Sequence, residues 1–144
     1  MKALLSLILC SSALAADPAV TPKLVSGIIA IESDGRAWVR GDSGAAAGAA
    51  QFHCASWQDT TAWRAARGLV TYPYSQAYDL AVTRAYLTSW LELNAARFRK
   101  ATGRAPTPAD LYAIHNLGFQ GYAQRSFDFA RCPSITKRKA TRLR

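Results

Sequence analysis

Glu32 stands where a carboxyl group could act as an acid. The chain has two glutamates, Glu32 and Glu92, and Glu32 closes the apolar run Leu24-Val25-Ser26-Gly27-Ile28-Ile29-Ala30-Ile31. A carboxylate at the end of a helix faces the negative pole of the helix dipole. Apolar neighbours strip it of water. Both effects disfavour the charged form and raise a carboxyl pKa towards values a general acid needs near neutral pH. The bland alternative is an exposed glutamate on a last helical turn.

Two further segments carry polar groups suited to a ligand. In Ser43-Gly44-Ala45-Ala46-Ala47-Gly48-Ala49-Ala50-Gln51-Phe52, residues 44 to 50 have no bulky side chain. Such a stretch lets backbone approach a ligand or a neighbouring helix. Gln51 then offers both a donor and an acceptor. Tyr112, His115 and Asn116 fall at i, i+3 and i+4, so on a helix they share one face. A polar stripe there suits the lining of a sugar site. A plain loop and a satisfied buried histidine are the competing readings. No His/Cys/Asp cluster has metal-ligand spacing, so no metal is expected. There is no serine-nucleophile elbow and no phosphate-binding glycine pattern.

The elements that must hold these groups follow from periodicity and punctuation. Thr21 and Pro22 make a cap and first position for a helix running to Ser33, stopped by Asp34-Gly35. Residues 35 to 52 predict a loop or small hairpin. A helix over 54–67 is anchored by Trp57 and Trp63. The longest helix spans 75–101, with a broad apolar stripe. Thr107-Pro108-Ala109-Asp110 starts another over 108–117. Gly118 breaks it, and a last helix covers 119–130. The expected fold is mainly α, a single small α+β domain with a minor β-hairpin or loop region.

At 144 residues the chain is long enough for one real core. Residues 1–16, MKALLSLILCSSALAA, have the pattern of a secretory signal peptide: Lys2, an apolar stretch to Cys10, then Ala13-Leu14-Ala15 as the cleavage site. Its removal lowers the net charge from +9 to +8. The expected location is periplasmic or extracellular. Residues 17–132 form the expected domain. Cys54 and Cys132 remain, and an even count in an exported protein reads as one disulfide. Such a bridge would contribute about 4 kcal/mol on a chain-entropy model. Two separate buried thiols are the alternative. A basic exported protein seeks anionic envelope partners rather than nucleic acid. Residues 133–144 carry Lys137, Arg138, Lys139, Arg142 and Arg144. They read as a frayed basic tail or as an electrostatic attachment to the envelope.

Taken in order, these motifs resemble the lytic transglycosylases of the lysozyme-like superfamily. Glu32-Ser33 is similar to their Glu-Ser motif. Gly48-Ala49-Ala50-Gln51 is similar to their Gly-x-x-Gln motif, including the Ser-Gly-Ala lead. Ile114-His115-Asn116-Leu117-Gly118 is similar to their Ala-Tyr-Asn-x-Gly motif. The resemblance covers about 23–130. It departs at His115, where the family has Tyr, and at Ala50, where it has Met. Tyr122 is a candidate for a further tyrosine of the family.

The resemblance implies a lysozyme-like fold and cleavage of the β-1,4 bond between N-acetylmuramic acid and N-acetylglucosamine in peptidoglycan. Glu32 would protonate the glycosidic oxygen, then take the proton of the sugar's own 6-hydroxyl, leaving a 1,6-anhydro end. Ser33 would orient Glu32. Gln51 and Asn116 would hold sugar or peptide-stem groups, with His115 or Tyr112 lining the cleft. No cofactor is implied, and a monomer is expected. Two alternatives remain. A hydrolytic lysozyme needs a second carboxylate, Asp34 or Asp42. A catalytically inactive peptidoglycan-binding module would not need Glu32.

Overall fold

The computed structural model describes residues 16–143. The leader assigned to residues 1–16 lies outside them except for its last residue. Among the described residues no helix is long and apolar enough to cross a membrane.

Helix α1, Pro22–Ser33, forms as its caps dictate. The Thr21 hydroxyl accepts from the Leu24 N–H at 3.1 Å, and Pro22 occupies the first turn. Asp34 adopts a left-handed conformation and its N–H closes on Ala30. Leu24, Val25, Ile28, Ile29 and Ile31 are buried, so the helix packs an apolar face into the core and brings Glu32 to its inner end.

The Gly/Ala region becomes a three-stranded antiparallel sheet in the order β1 (Arg40–Gly41), β2 (Ala46–Ala47), β3 (Phe52–His53). Arg40 pairs with Ala47, and Ala46 with His53. Helix α2 follows directly over Cys54–Ala65. A 3₁₀ turn over Tyr74–Tyr78 precedes helix α3, Leu80–Thr102. The long helix thus begins five residues later than expected. Asp79, in extended conformation, caps it through its carboxylate on the Val82 N–H at 2.9 Å. Helix α4, Pro108–Ala123, opens on the expected Thr107/Asp110 capping box. Gly118 interrupts it with φ 74° and ψ 159°, and the helix then ends at Ala123, short of the expected 130.

The last segment departs most from expectation. Residues 134–143 are not a frayed tail. Helix α5, Ser134–Ala140, continues into a 3₁₀ turn over Thr141–Leu143. Thr136 and Ala140 are buried, and Ala140 and Leu143 join the main core. These three residues recur at i, i+4 and i+7, one helical face, and the basic residues fill the positions between them.

The main core links α1, the sheet, α2, α3 and the start of α4, with Trp57 and Tyr86 stacked at 3.8 Å. A second cluster gathers Phe98, Ala113, Ile114, Tyr122 and Cys132. The expected disulfide is absent: Cys54 and Cys132 are both free. Cys54 is exposed at the start of α2, whereas Cys132 is a small apolar group buried in the second cluster.

Asp110 anchors that end of the molecule. Burial alone would raise its pKa, but Arg104, Tyr122 and Thr107 outweigh it and hold the carboxyl below its ordinary value. Arg104 binds it bidentately at 2.7 and 3.0 Å, and the Tyr122 hydroxyl donates at 2.6 Å. Asp110→Ala should therefore cost about 3 kcal/mol, the lower end for breaking a buried pair, because Arg104 can regain water. The depressed folded-state value means this contribution is fully present above about pH 4, the unfolded carboxyl range, and is lost as pH falls through the folded-state value. Urea unfolding of wild type and variant should show a wide gap at pH 7 that closes in acid.

Candidate active site

Glu32, Gln51, His115 and Asn116, three segments apart in sequence, line one cavity of 230 Å³ with Asp42, Ala46, His53 and Lys139. The folding of α1 against α4 and the sheet brings these expected residues together. Two others of the expected set lie behind the wall.

Each oxygen of Glu32 has its own donor. The Tyr112 hydroxyl donates to Oε1 at 2.6 Å. The Lys139 ammonium donates to Oε2 at 3.2 Å. The Glu32 side chain is 9% exposed, so it is a nearly buried carboxylate with an open edge. Tyr112 is buried in the core. Burial, then the hydrogen bond and charge of Glu32, push its phenol well above the ordinary value, so it stays a protonated donor.

Tyr112 therefore orients Glu32, the role expected of Ser33. The Ser33 hydroxyl instead donates to the Ile29 carbonyl at 3.1 Å, one turn back in its own helix. That bond is local and satisfies a buried hydroxyl, so nothing drives it towards its neighbour.

Gln51 serves the scaffold more than expected. It sits at φ 51°, and its side-chain amide donates to the carbonyls of Gly48 at 2.8 Å and Val39 at 3.2 Å. Its donors thus staple the turn between β2 and β3. The carbonyl oxygen packs where a side chain on Gly41 would be, 2.1 Å from an ideal Cβ. That oxygen is what Gln51 offers a ligand.

His115 makes one contact that fixes its tautomer. Its Nε2 lies 2.9 Å from the Ala50 carbonyl, which can only accept, so Nε2 carries the proton. Nδ1 is then a bare acceptor, and it is buried without a partner among the described residues. Burial lowers the His115 pKa, against the pull of Glu32 and the Ala50 bond. The ring is neutral near pH 7, suited to accepting a hydroxyl or amide proton. Asn116 is exposed, and its carbonyl accepts from the Thr136 hydroxyl at 2.7 Å. Its amide N–H groups remain for a ligand.

The sequence reading did not assign Lys139, Thr136 or His53 to the site. Lys139 and Thr136 reach the site from α5, hidden by the basic composition that suggested a tail. Asp42 and His53 face each other at 2.8 Å on the cavity wall. Asp42 and Ser43 hold φ 48° and 57°, a left-handed pair of non-glycine residues that bends the loop inward. Asp34, the other second-carboxylate candidate, is instead exposed near Arg142 at 3.9 Å. Tyr122 is committed to Asp110 and belongs to the second core cluster.

The arrangement sets the Glu32 carboxyl between the Tyr112 hydroxyl and the Lys139 ammonium, with Gln51, His115, Asn116 and a second carboxylate, Asp42, lining the same cavity. No family model matches the sequence, and no match is found among curated proteins.

Proposed function

We propose that the protein is a lytic transglycosylase that cleaves the MurNAc-β-1,4-GlcNAc bond of peptidoglycan with Glu32 as its acid and base. The observation that carries this reading is the setting of Glu32. It ends a buried helix, is held from behind by Tyr112, and opens onto a cavity that Gln51, His115 and Asn116 also line. A first act protonates the glycosidic oxygen as the C–O bond breaks. The substrate's acetamido group stabilises the sugar centre. The Glu32 carboxylate then takes the proton of the 6-hydroxyl as that oxygen closes the anhydro ring. Lys139 must release Oε2 before the first act, so that this oxygen is free to face the glycosidic oxygen. The basic charge suits an anionic wall, and a leader at residues 1–16 would carry the enzyme outside the cytoplasm. Mass spectrometry of digested peptidoglycan should show 1,6-anhydro ends that are absent from a Glu32→Gln digest.

A specific observation favours hydrolysis as the second reading. Asp42 shares the cavity with Glu32 and is backed by His53. A second carboxylate across a cleft is the arrangement that activates water. Asp42→Asn separates the two. A transglycosylase should keep its rate within about threefold, since Asp42 takes no proton. A hydrolase should lose about 100-fold or more, the contribution of a general base.

A further inference from the structure

A second concavity of 830 Å³ lies between α2, α3 and α4. It falls in the size range of ligand sites, whereas the 230 Å³ of the Glu32 cavity is below it.

The two concavities are neighbours. His53 lines the first and Ala55 the second; Asn116 lines the first and Leu117 the second. The buried ring of Phe52 lies 6.0 Å from the ring of His115, which lines the first, and 6.4 Å from that of Trp90, which lines the second. One buried ring thus packs near a lining residue of each concavity.

Its chemistry differs from that of the Glu32 cavity. Trp90, Leu117 and Phe119 supply apolar lining, and the break at Gly118 removes a side chain from α4 where the groove passes. The one carboxylate, Asp59, is matched by Arg97 at 3.2 Å, so Lys100 leaves the groove with an excess positive charge. Apolar lining with surplus cation suits a short peptide with small apolar side chains and free carboxylates.

We propose that this groove receives the acidic peptide stem attached to the glycan strand, so that the enzyme reads peptide-bearing strands in preference to bare ones. The proposal rests on the glycan-cleaving reading of Glu32. Lys100 is exposed on α3 and outside the reacting cavity, so Lys100→Glu leaves fold and chemistry in place.

The test compares wild type and Lys100→Glu on peptide-bearing strands and on strands stripped of peptide by an amidase. On peptide-bearing strands KM should rise about tenfold with kcat unchanged, the loss expected when one charge-assisted contact becomes repulsive. On stripped strands the two proteins should be equal. Equal losses on both substrates would assign the groove to sugar, and no change on either would leave it without this role; both overturn the proposal. Binding of a fluorescent disaccharide-tetrapeptide to Glu32→Gln, with and without Lys100→Glu, gives a readout free of cleavage. A tenfold weaker complex supports the groove even if wild type cleaves nothing. Equal affinity sinks it even if the transglycosylase reading stands.

Discussion

Glu32→Gln should lower peptidoglycan cleavage about a thousandfold, or about 4 kcal/mol of transition-state stabilisation, because the same carboxyl is acid in one step and base in the next. The amide keeps the size and the single carbonyl that Tyr112 needs. It cannot give up a proton to a glycosidic oxygen or accept one from a 6-hydroxyl. The cost to the fold is small by comparison. Tyr112 and Lys139 each donate to a separate oxygen of Glu32, and glutamine has only one to offer. Losing one such contact to a charged group should cost about 2 kcal/mol. The checks are turnover on purified sacculi and the thermal midpoint of the same sample. A folded variant that clears the wall within threefold of wild type would refute Glu32 as the acid, whereas a wild type that binds peptidoglycan without cleaving it would make the binding module the better reading.

Gly48→Ala should cost about 4 kcal/mol of stability. The residue sits at φ 75°, where a side chain alone costs about 1–2 kcal/mol. An added Cβ would also stand 1.7 Å from the Ala77 carbonyl oxygen, so the 3₁₀ turn over Tyr74–Tyr78 would have to move; overpacking of this kind costs about 1–3 kcal/mol and occasionally more. The effect reaches the site. The Gly48 carbonyl accepts from both the backbone and the side chain of Gln51, and its N–H binds the Val39 carbonyl at 2.9 Å. Gly44 provides the control. It has φ 95° but nothing within 4 Å of its Cβ position, so Gly44→Ala should cost about 1 kcal/mol. Equal urea midpoints for the two variants would show that close approach at Gly48 does not matter.

The extent to which the site was legible follows from the range of the forces involved. Local signals were reliable because they act within one turn of chain. Thr21-Pro22 capped α1, Thr107 and Asp110 built a capping box, and the apolar run before Glu32 buried its face as its period required. Those signals were enough to set Glu32 at the inner end of a helix and to put Tyr112, His115 and Asn116 on one face of another. They also marked residues 44 to 50 as a segment where backbone comes close, although the partner proved to be the turn at Ala77.

What local patterns could not decide was which neighbour each polar atom would find. Ser33 follows Glu32 directly in sequence yet bonds one turn back to Ile29, because a helical serine hydroxyl reaches the carbonyl four residues earlier. Tyr112, 80 residues away in sequence, supplies the hydroxyl that holds Glu32. Cys54 and Cys132 form an even pair by count, but the fold places one on the surface and the other in a separate apolar cluster. The basic C-terminal segment misled most. Its charge density suggested solvent, while three residues spaced along one helical face were enough to dock it and bring Lys139 to Glu32. The sequence by itself determined that one carboxyl would end a buried helix beside a small-residue loop. Only the tertiary structure decided its donors, its cavity and the groove alongside, because hydrogen bonds and ion pairs depend on distances between segments far apart in sequence, which no local pattern encodes.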